Sequence, residues 1–398
     1  MTLHHHTADP LLARILGRDR SLFAADLARH QDGISAELSG ARVLVIGAGG
    51  SIGAAFVRQL AAFRPAALHL VDLNENTLVE AIRDLRSGEV APPDDLRSLS
   101  IDFGSDEFAR FAAACGPWDH VVSFAAMKHV RAERDPYSLM RMIDVNVGAL
   151  HRALDWIGPA RRIFSVSTDK SVRPANLMGA TKNLMERVLF CRDGTIASSA
   201  RFANVAFSAG SLLEGFEQRL AKSQPLAAPS DVRRYFISAE EAGQLCLLAA
   251  FTAAPREVFF PRLSPDEDLL SFADIARAVL AARGLEALPC ADEAEAKAAM
   301  GRDPGRWPCL FAPSDTSGEK MAEEFHRDGE HPDFDRFAAI GVAREAPARR
   351  EEIDSFLAEI AALRRQPVWD KAAIAAAIAR AVPDLDHAER GRSLDQKM

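Results

Sequence analysis

The chain has 398 residues, 48% of them hydrophobic and 26% charged, with a formal net charge of -8. That composition is ordinary for a globular protein with a large core, and the length allows two or three domains. The acidic balance argues against nonspecific binding to nucleic acid or an anionic membrane, which needs clustered positive charge, but it allows a local basic pocket for phosphates. Cys115, Cys191, Cys246, Cys290 and Cys309 form no C-x-x-C pair and are odd in number. Neither a disulfide framework nor a metal site is therefore expected, and a reducing cytoplasm fits best. No apolar run is long enough to span a bilayer, and the N-terminus shows no cleavable apolar segment. His4, His5 and His6 read as a tag or a disordered end.

In chain order, residues 1–40 read as a helical arm. Pro10 starts a helix striped by Leu11, Leu12, Ile15 and Leu16, and Leu22, Phe23, Leu27, Ile34 and Leu38 form a second stripe. Arg42-Val-Leu-Val-Ile46 is a buried-strand run, followed by Gly47-Ala-Gly-Gly50-Ser51-Ile52-Gly53 and a helix to residue 63. A glycine turn between strand and helix lets the backbone approach a pyrophosphate, and the helix N-terminus adds N–H donors and a positive dipole end. The next strand, 67–71, ends at Asp72. Its carboxylate suits the adenosine ribose hydroxyls and would repel a 2′-phosphate. No arginine follows directly (Leu73, Asn74, Glu75), so NAD is expected rather than NADP.

The alternation continues with a helix over 76–85, a strand over 98–102 and a helix over 106–114. Asp102 and Phe103 are read as cofactor contacts, Asp102 at the adenine. Strand four covers 120–126, where small Ala125 and Ala126 let a cofactor pass close by. Lys128 reads equally as a contact to cofactor or substrate and as a solvated loop lysine, and His129 reads as structural. A long helix over 141–157 carries Asn146. Strand five, 163–166, delivers Thr168, Asp169 and Lys170 at its C-terminal end. A helix follows over 183–190, with Lys182 at its start, and then a strand over 195–205. Repeated alternation from 42 to 205 predicts an α/β fold with one doubly wound parallel sheet, whose strand C-termini hold ligands.

From 206 the texture changes. A helix is expected over 212–223, a turn-rich stretch over 224–231, and helices over 239–251 and 271–283. Arg233 and Arg234 suit a diphosphate, because guanidinium forks match phosphate oxygens. A turn and cap near 315 predict a helix to 325. The end of the chain is charged, alanine-rich and helical in spacing, with its last residues frayed. The expected organisation is a helical arm (1–40), a dinucleotide-binding domain (41–205), a smaller substrate-binding lobe whose chain returns to that domain (206–345), and a helical tail (346–398).

Several stretches coincide with a known pattern: Gly47-Ala-Gly-Gly-Ser-Ile-Gly53, Ala125-Ala-Met-Lys-His-Val130, Ser167-Thr-Asp-Lys170, Asn176-Leu-Met-Gly-Ala-Thr-Lys182, Arg201-Phe-Ala-Asn-Val205, Arg234-Tyr-Phe236 and Gly318-Glu-Lys320. Together they resemble the extended short-chain dehydrogenase/reductase superfamily. Within it they look like the nucleotide-sugar 4,6-dehydratases that act on UDP-N-acetylglucosamine in capsule and glycan biosynthesis. Leu16-Gly-Arg-Asp19 resembles a lead-in found in larger members, which carry transmembrane helices upstream; this chain has none and resembles a soluble form. Met178 stands where the superfamily has a tyrosine, and Ala203 where the family has a glycine.

The resemblance implies a Rossmann-like fold, bound NAD, a UDP-sugar substrate and a homo-oligomer. It implies oxidation at C4, loss of water across C5–C6 and hydride return to C6. Asp169 would be the acid and Lys170 the base for H5, with burial and the positive charges of Lys182 and the nicotinamide lowering the Lys170 pKa. Thr168 would bond the 4-hydroxyl, Lys182 would hold the nicotinamide ribose, Asn204 the substrate's nucleotide side and Arg234 its diphosphate. Met178 has no proton to give and would pack against sugar or ring. The alternatives are an epimerase or 4-ketoreductase on the same fold, or a noncatalytic NAD-binding protein.

Overall fold

Val43 and Val45 of β1 (Arg42–Ile46) enter one apolar cluster, while Leu44 and Ile46 enter another. A strand whose successive side chains point to opposite faces does this only when both faces of its sheet are covered. The computed structural model, which describes residues 9–202, 204–314, 323–327 and 330–387, has that layered architecture.

Two helices, α1 (Pro10–Leu16) and α2 (Ala24–Leu38), precede β1. Then come α3 (Ser51–Ala61), β2 (Ala67–Asp72), α4 (Glu75–Ser87), β3 (Asp95–Ser100), α5 (Asp106–Cys115) and β4 (His120–Ser123). A helical run follows: α6 (Pro136–Ile143), a π-helical stretch (Asp144–Ala149) and α7 (Leu150–Ile157). It leads to β5 (Arg162–Val166), α8 (Leu177–Phe190), β6 (Ile196–Ala200), β7 (Asn204–Val205), α9 (Leu212–Ala221), β8 (Leu226–Pro229), β9 (Arg233–Ile237), α10 (Ala239–Thr252) and β10 (Glu257–Pro261). The chain continues with β11 (Leu269–Ser271), α11 (Phe272–Ala281), β12 (Glu286–Cys290), α12 (Glu293–Ala299), β13 (Arg306–Ala312), β14 (Ile340–Arg344), α13 (Arg350–Arg364) and α14 (Lys371–Ala381).

The main sheet has 8 strands in the order β14-β10-β6-β5-β4-β1-β2-β3. Its pairs are parallel except β14, which runs antiparallel to β10. This is a Rossmann-like doubly wound sheet. One face packs Phe23, Leu27, Phe56 and the apolar side chains of α10; the other packs α5 to α8 with Ile353, Phe356, Ile374 and Ile378 of the two last helices. Two small sheets, β11-β9-β7 and β12-β13-β8, stand outside it. The second adjoins a third cluster built on Phe216, Ile275, Val279 and Cys309. Arg18 ties the N-terminal helices to α10 by bonding Glu241 at 2.8 Å.

The structure corrects several expected elements. The strand expected over 195–205 is divided: β6 ends at Ala200, and Asn204–Val205 pairs with β9 in a small sheet. The break falls where Arg201, 2% exposed, turns its guanidinium onto Glu186. The third strand ends at Ser100, opposite Asp72, so Asp102 lies beyond it. Helix α8 begins six residues before the expected 183, because Asn176 caps it by accepting from Gly179 N. The helix read over 141–157 begins instead at Pro136, capped by Asp135. The turn-rich stretch 224–231 contains strand β8. Of the helix read over 315–325, residues 315–322 lie outside the described residues, and 323–325 are not helical. Gly318-Glu-Lys320, Ala203, the three N-terminal histidines and the frayed end also lie outside them.

Candidate active site

β1 lies between β2 and β4, so the chain winds away in opposite directions and a crevice opens at their C-terminal ends. Two glycines there are dictated by space. Gly47 has φ +77°, and a Cβ on it would lie 2.5 Å from Ala125 N; a Cβ on Gly53 would lie 2.1 Å from Gly47 O. The glycine turn is thus pressed between α3 and the Ala125–Ala126 loop. Gly50 is the N-cap of α3 and supplies no side-chain cap. The N–H groups at Ser51, Ile52 and Gly53 therefore form the start of a helix with no side chain over it, which is the arrangement that receives a phosphate. Ser51 Oγ accepts from Ala209 N at 3.0 Å, joining the turn to the loop before α9. Asp72 sits at the end of β2, with Oδ2 accepting from Gly49 N and Oδ1 from Asn74 N, each at 2.8 Å.

Two expected cofactor contacts, Asp102 and Phe103, follow β3. Phe103 is buried in the core cluster, where its ring packs with apolar side chains. Asp102 is bonded to Arg141 and to Gly104 N, both at 2.8 Å. Burial pushes its carboxyl up, but these partners hold it below the usual carboxylate range.

The loop carrying Lys128 is held by Asn146 in the π-helical stretch. Asn146 Oδ1 accepts from Met127 N at 2.8 Å, while its Nδ2 donates to Met127 O and Thr181 Oγ1. An extra residue in the helical turn is a recurrent way to aim a side chain at a site. Lys128 Nζ reaches Ser208 Oγ at 3.4 Å, and burial lowers its pKa against the opposing charge of Glu214.

At the end of β5 a short helical turn carries Thr168, Asp169 and Lys170. Thr168 Oγ1 donates to Asp169 Oδ1 at 2.8 Å, and Lys170 Nζ donates to the same oxygen at 3.1 Å. Asp169 is 2% exposed, while the Lys170 side chain is 29% exposed. Ser171 Oγ, 2.7 Å from Thr168 O and 3.0 Å from Glu186 Oε1, fastens the turn to α8. Glu186 in turn holds Arg201, which also bonds Glu345 at 2.6 Å. Burial pushes the Glu186 carboxyl up, but the Arg201 charge and hydrogen bonds hold it below its ordinary value.

On α8, Met178 is buried, and its backbone N–H donates to Glu133 Oε2 at 3.0 Å. Lys182 is buried too, with Nζ donating to Val166 O at 2.6 Å; burial brings its pKa down to about 8. Asn204 Nδ2 donates to Tyr235 O at 3.2 Å and to Glu323 Oε1 at 3.1 Å, and Arg234 Nε stands 3.9 Å from that same Glu323 oxygen.

The structure thus brings Asp169 and Lys170 together, Asn204 and Arg234 together, and the glycine turn against Ala125. Asp102 and Phe103 follow the end of β3, Asp102 bonded to Arg141 and Phe103 with its ring in the core. Sequence reasoning missed Glu323, Glu186 and Glu133. Asn146 was noticed without a role, although a polar residue of low helix propensity inside an apolar helical run hints at one.

The family described as polysaccharide biosynthesis protein matches residues 43–307. The chain belongs to that family. Over 259 residues it is 30% identical to a Bacillus subtilis protein named probable polysaccharide biosynthesis protein EpsC, covering 62% of this chain and 43% of that one. Over 237 residues it is 26% identical to a Campylobacter jejuni UDP-N-acetylglucosamine 4,6-dehydratase (inverting), covering 56% of this chain and 68% of the relative. Less than half of the Bacillus family member is therefore represented here. The X-ray structure of Pen from Bacillus thuringiensis superposes with a TM-score of 0.63 at 20% identity, over 79% of this chain and 90% of that one, which is a likeness of fold. Among the described residues no helix is long and apolar enough to cross a membrane.

Proposed function

We propose that this family member is an NAD-dependent nucleotide-sugar 4,6-dehydratase, with UDP-N-acetylglucosamine as its substrate. The observation that carries the reading is the Thr168–Asp169–Lys170 turn at the end of β5, a hydroxyl, a carboxylate and an amine on one oxygen. It lies one strand beyond the β1/β4 crevice of the same sheet. The named dehydratase among the relatives supports the same activity.

The crevice fits a dinucleotide. Gly47 and Gly53 leave no room for a Cβ, and α3 begins without a side-chain cap. Gly47, Gly50, Ser51, Ile52 and Gly53 would hold the pyrophosphate, Asp72 the adenosine ribose, and Ala125 and Ala126 would border it. NAD, when bound, supplies the acceptor and then the donor of one hydride, taken from C4 and returned to C6.

The chain's own residues handle protons. Thr168 orients the 4-hydroxyl, whose proton passes to Asp169. Lys170 takes H5, which the adjacent C4 ketone acidifies, and Asp169 gives its proton to the departing 6-hydroxyl, so that water leaves. The Lys170–Asp169 hydrogen bond lets the pair exchange a proton, and a proton returns to C5 as the double bond is reduced. Two protons are taken and two given back, so the pair ends as it began. Met178 packs and transfers nothing. Lys182 Nζ uses one of its N–H donors on Val166 O and would offer another to a ribose hydroxyl.

Incubating the purified protein with UDP-N-acetylglucosamine and NAD should give a product lighter by one water in mass spectra. No water lost from this or any related nucleotide sugar would end the proposal. Lys170→Ala should abolish exchange of H5 with deuterated solvent, and retained exchange would remove Lys170 from the base role.

A further inference from the structure

Glu323 comes to the site from far along the chain, and its side chain is 4% exposed. Both carboxyl oxygens are placed by hydrogen bonds: Oε1 accepts from Asn204 Nδ2 at 3.1 Å and Oε2 from Tyr235 N at 3.3 Å. The two residues that follow are anchored as well. Glu324 pairs with Arg173 at 3.2 Å. Phe325 O accepts from Arg201 Nη1 at 3.1 Å, and its ring stacks on Phe260 with centroids 5.9 Å apart. The position of Glu323 is therefore built, not incidental.

The charges around it are mixed. Burial pushes its pKa up to about 7, and negative Asp169 adds to the rise. The Tyr235 N–H, Arg234 and Lys170 act in the opposite direction. Burial raises the Tyr235 phenol, and Glu323, Asp268 and Asp266 add to the rise. Near neutrality Glu323 is thus divided between acid and anion. The donors it uses are those assigned to the substrate: Asn204 and, at 3.9 Å, Arg234. A diphosphate drawn to Arg234 would place its charge beside this carboxyl, and two anions in a dry pocket repel strongly.

We propose that Glu323 is a positioning residue of the substrate site that takes up a proton when the diphosphate of a nucleotide sugar binds beside Arg234. The inference rests on the nucleotide-sugar reading and adds the group that adjusts the pocket's charge to that substrate class. In its neutral form Glu323 keeps its acceptor bond to Tyr235 N and leaves Arg234 to the phosphates. In its anionic form it competes for Arg234.

The test is calorimetric titration of UDP-N-acetylglucosamine into the protein saturated with NADH, which blocks the first oxidation, in buffers of different ionisation enthalpy. Wild-type protein should take up a proton on binding near pH 7.5, and its affinity should fall by up to about tenfold per pH unit above neutrality, the limit for one linked proton. Glu323→Gln, a mimic of the neutral form, should bind with markedly less proton uptake and a flatter dependence of affinity on pH from 6.5 to 8.5. Glu323→Asp should restore the uptake. Binding by wild type without proton uptake would overturn the inference alone, as would uptake unchanged in Glu323→Gln. Absence of binding by every form would overturn the nucleotide-sugar reading and this inference with it.

Discussion

Replacing Gly179 with alanine would drive a methyl group into the turn that carries Lys170. Gly179 is in the first turn of α8, and a Cβ there would lie 2.2 Å from Lys170 O, 3.0 Å from Lys170 C and 3.2 Å from the capping Asn176 Oδ1. The nearest atoms are backbone and cannot rotate aside. Real Cβ contacts essentially stop at 3.0 Å, so Lys170 or the helix must retreat by roughly 0.8 Å in an interior that packs like a crystal. Overpacking of this kind destabilises by about 1–3 kcal/mol, and alanine recovers about 1 kcal/mol through helix propensity. The net loss of stability should therefore be about 2 kcal/mol or less. The loss of rate should be larger, because a displacement near 1 Å of a reacting group lowers rates by about 100-fold. Urea unfolding measures the first quantity; turnover of UDP-N-acetylglucosamine and H5 exchange measure the second. A folded Gly179→Ala protein whose kcat stays within about threefold of wild type would refute the assignment of proton chemistry to this turn.

Two further substitutions probe the support of the turn and the cofactor crevice. Glu186→Gln removes the charge that meets Arg201 inside the protein; breaking a buried pair destabilises by about 3–5 kcal/mol, and the low end is expected because Glu345 remains. Since the folded-state pKa of Glu186 lies below its ordinary value, its stabilisation is present above about pH 4.3 and is lost as pH falls through the folded-state value. Denaturation measured against pH should accordingly lose part of its acid limb in Glu186→Gln. Asp72→Ala takes away the carboxylate that braces Gly49 N at 2.8 Å, so NADH affinity should fall by about tenfold, the equivalent of one hydrogen bond of about 1.4 kcal/mol, while NADPH loses less. Fluorescence titration with both nucleotides reads the ratio, and an unchanged preference would argue against Asp72 at the ribose.

The parts of the fold that were legible are those whose cause is local. The run Arg42–Ile46 followed by Gly47, Gly49, Gly50 and Gly53 states its own strand, turn and helix, and the space around Gly47 and Gly53 shows why no other residue serves. The start of α8 is local too, but it was obscured. Gly179 is a poor helix former, so the pattern read as helix only from residue 183, although Asn176 ahead of an apolar run was an available cap. The division of the strand after Ala200 was not legible at all. Its reason is the affinity of Arg201 for Glu186, 15 residues away, and for Glu345, 144 residues away. The positions of Asp102 and Phe103 depend on a similar boundary. β3 stops with its partner at Ser100, two residues before Asp102, because its ladder with β2 ends at Asp72.

The same long-range cation gives the candidate site its unity. With Met178 unable to carry a proton, the proposed proton-transfer pair is that of the Thr168–Asp169–Lys170 turn at the end of β5. That turn is fixed by Ser171 to Glu186, Glu186 is fixed by Arg201, and Arg201 also holds the Phe325 carbonyl two residues beyond Glu323. One guanidinium thus sets the position of the proposed proton-transfer pair and, through a separate bond, of the proposed substrate-side carboxyl. A side chain with a single partner could not do this. The planar fork of arginine can, because its five donors point in fixed directions, and lysine at 201 would keep the charge while releasing one end of the site from the other.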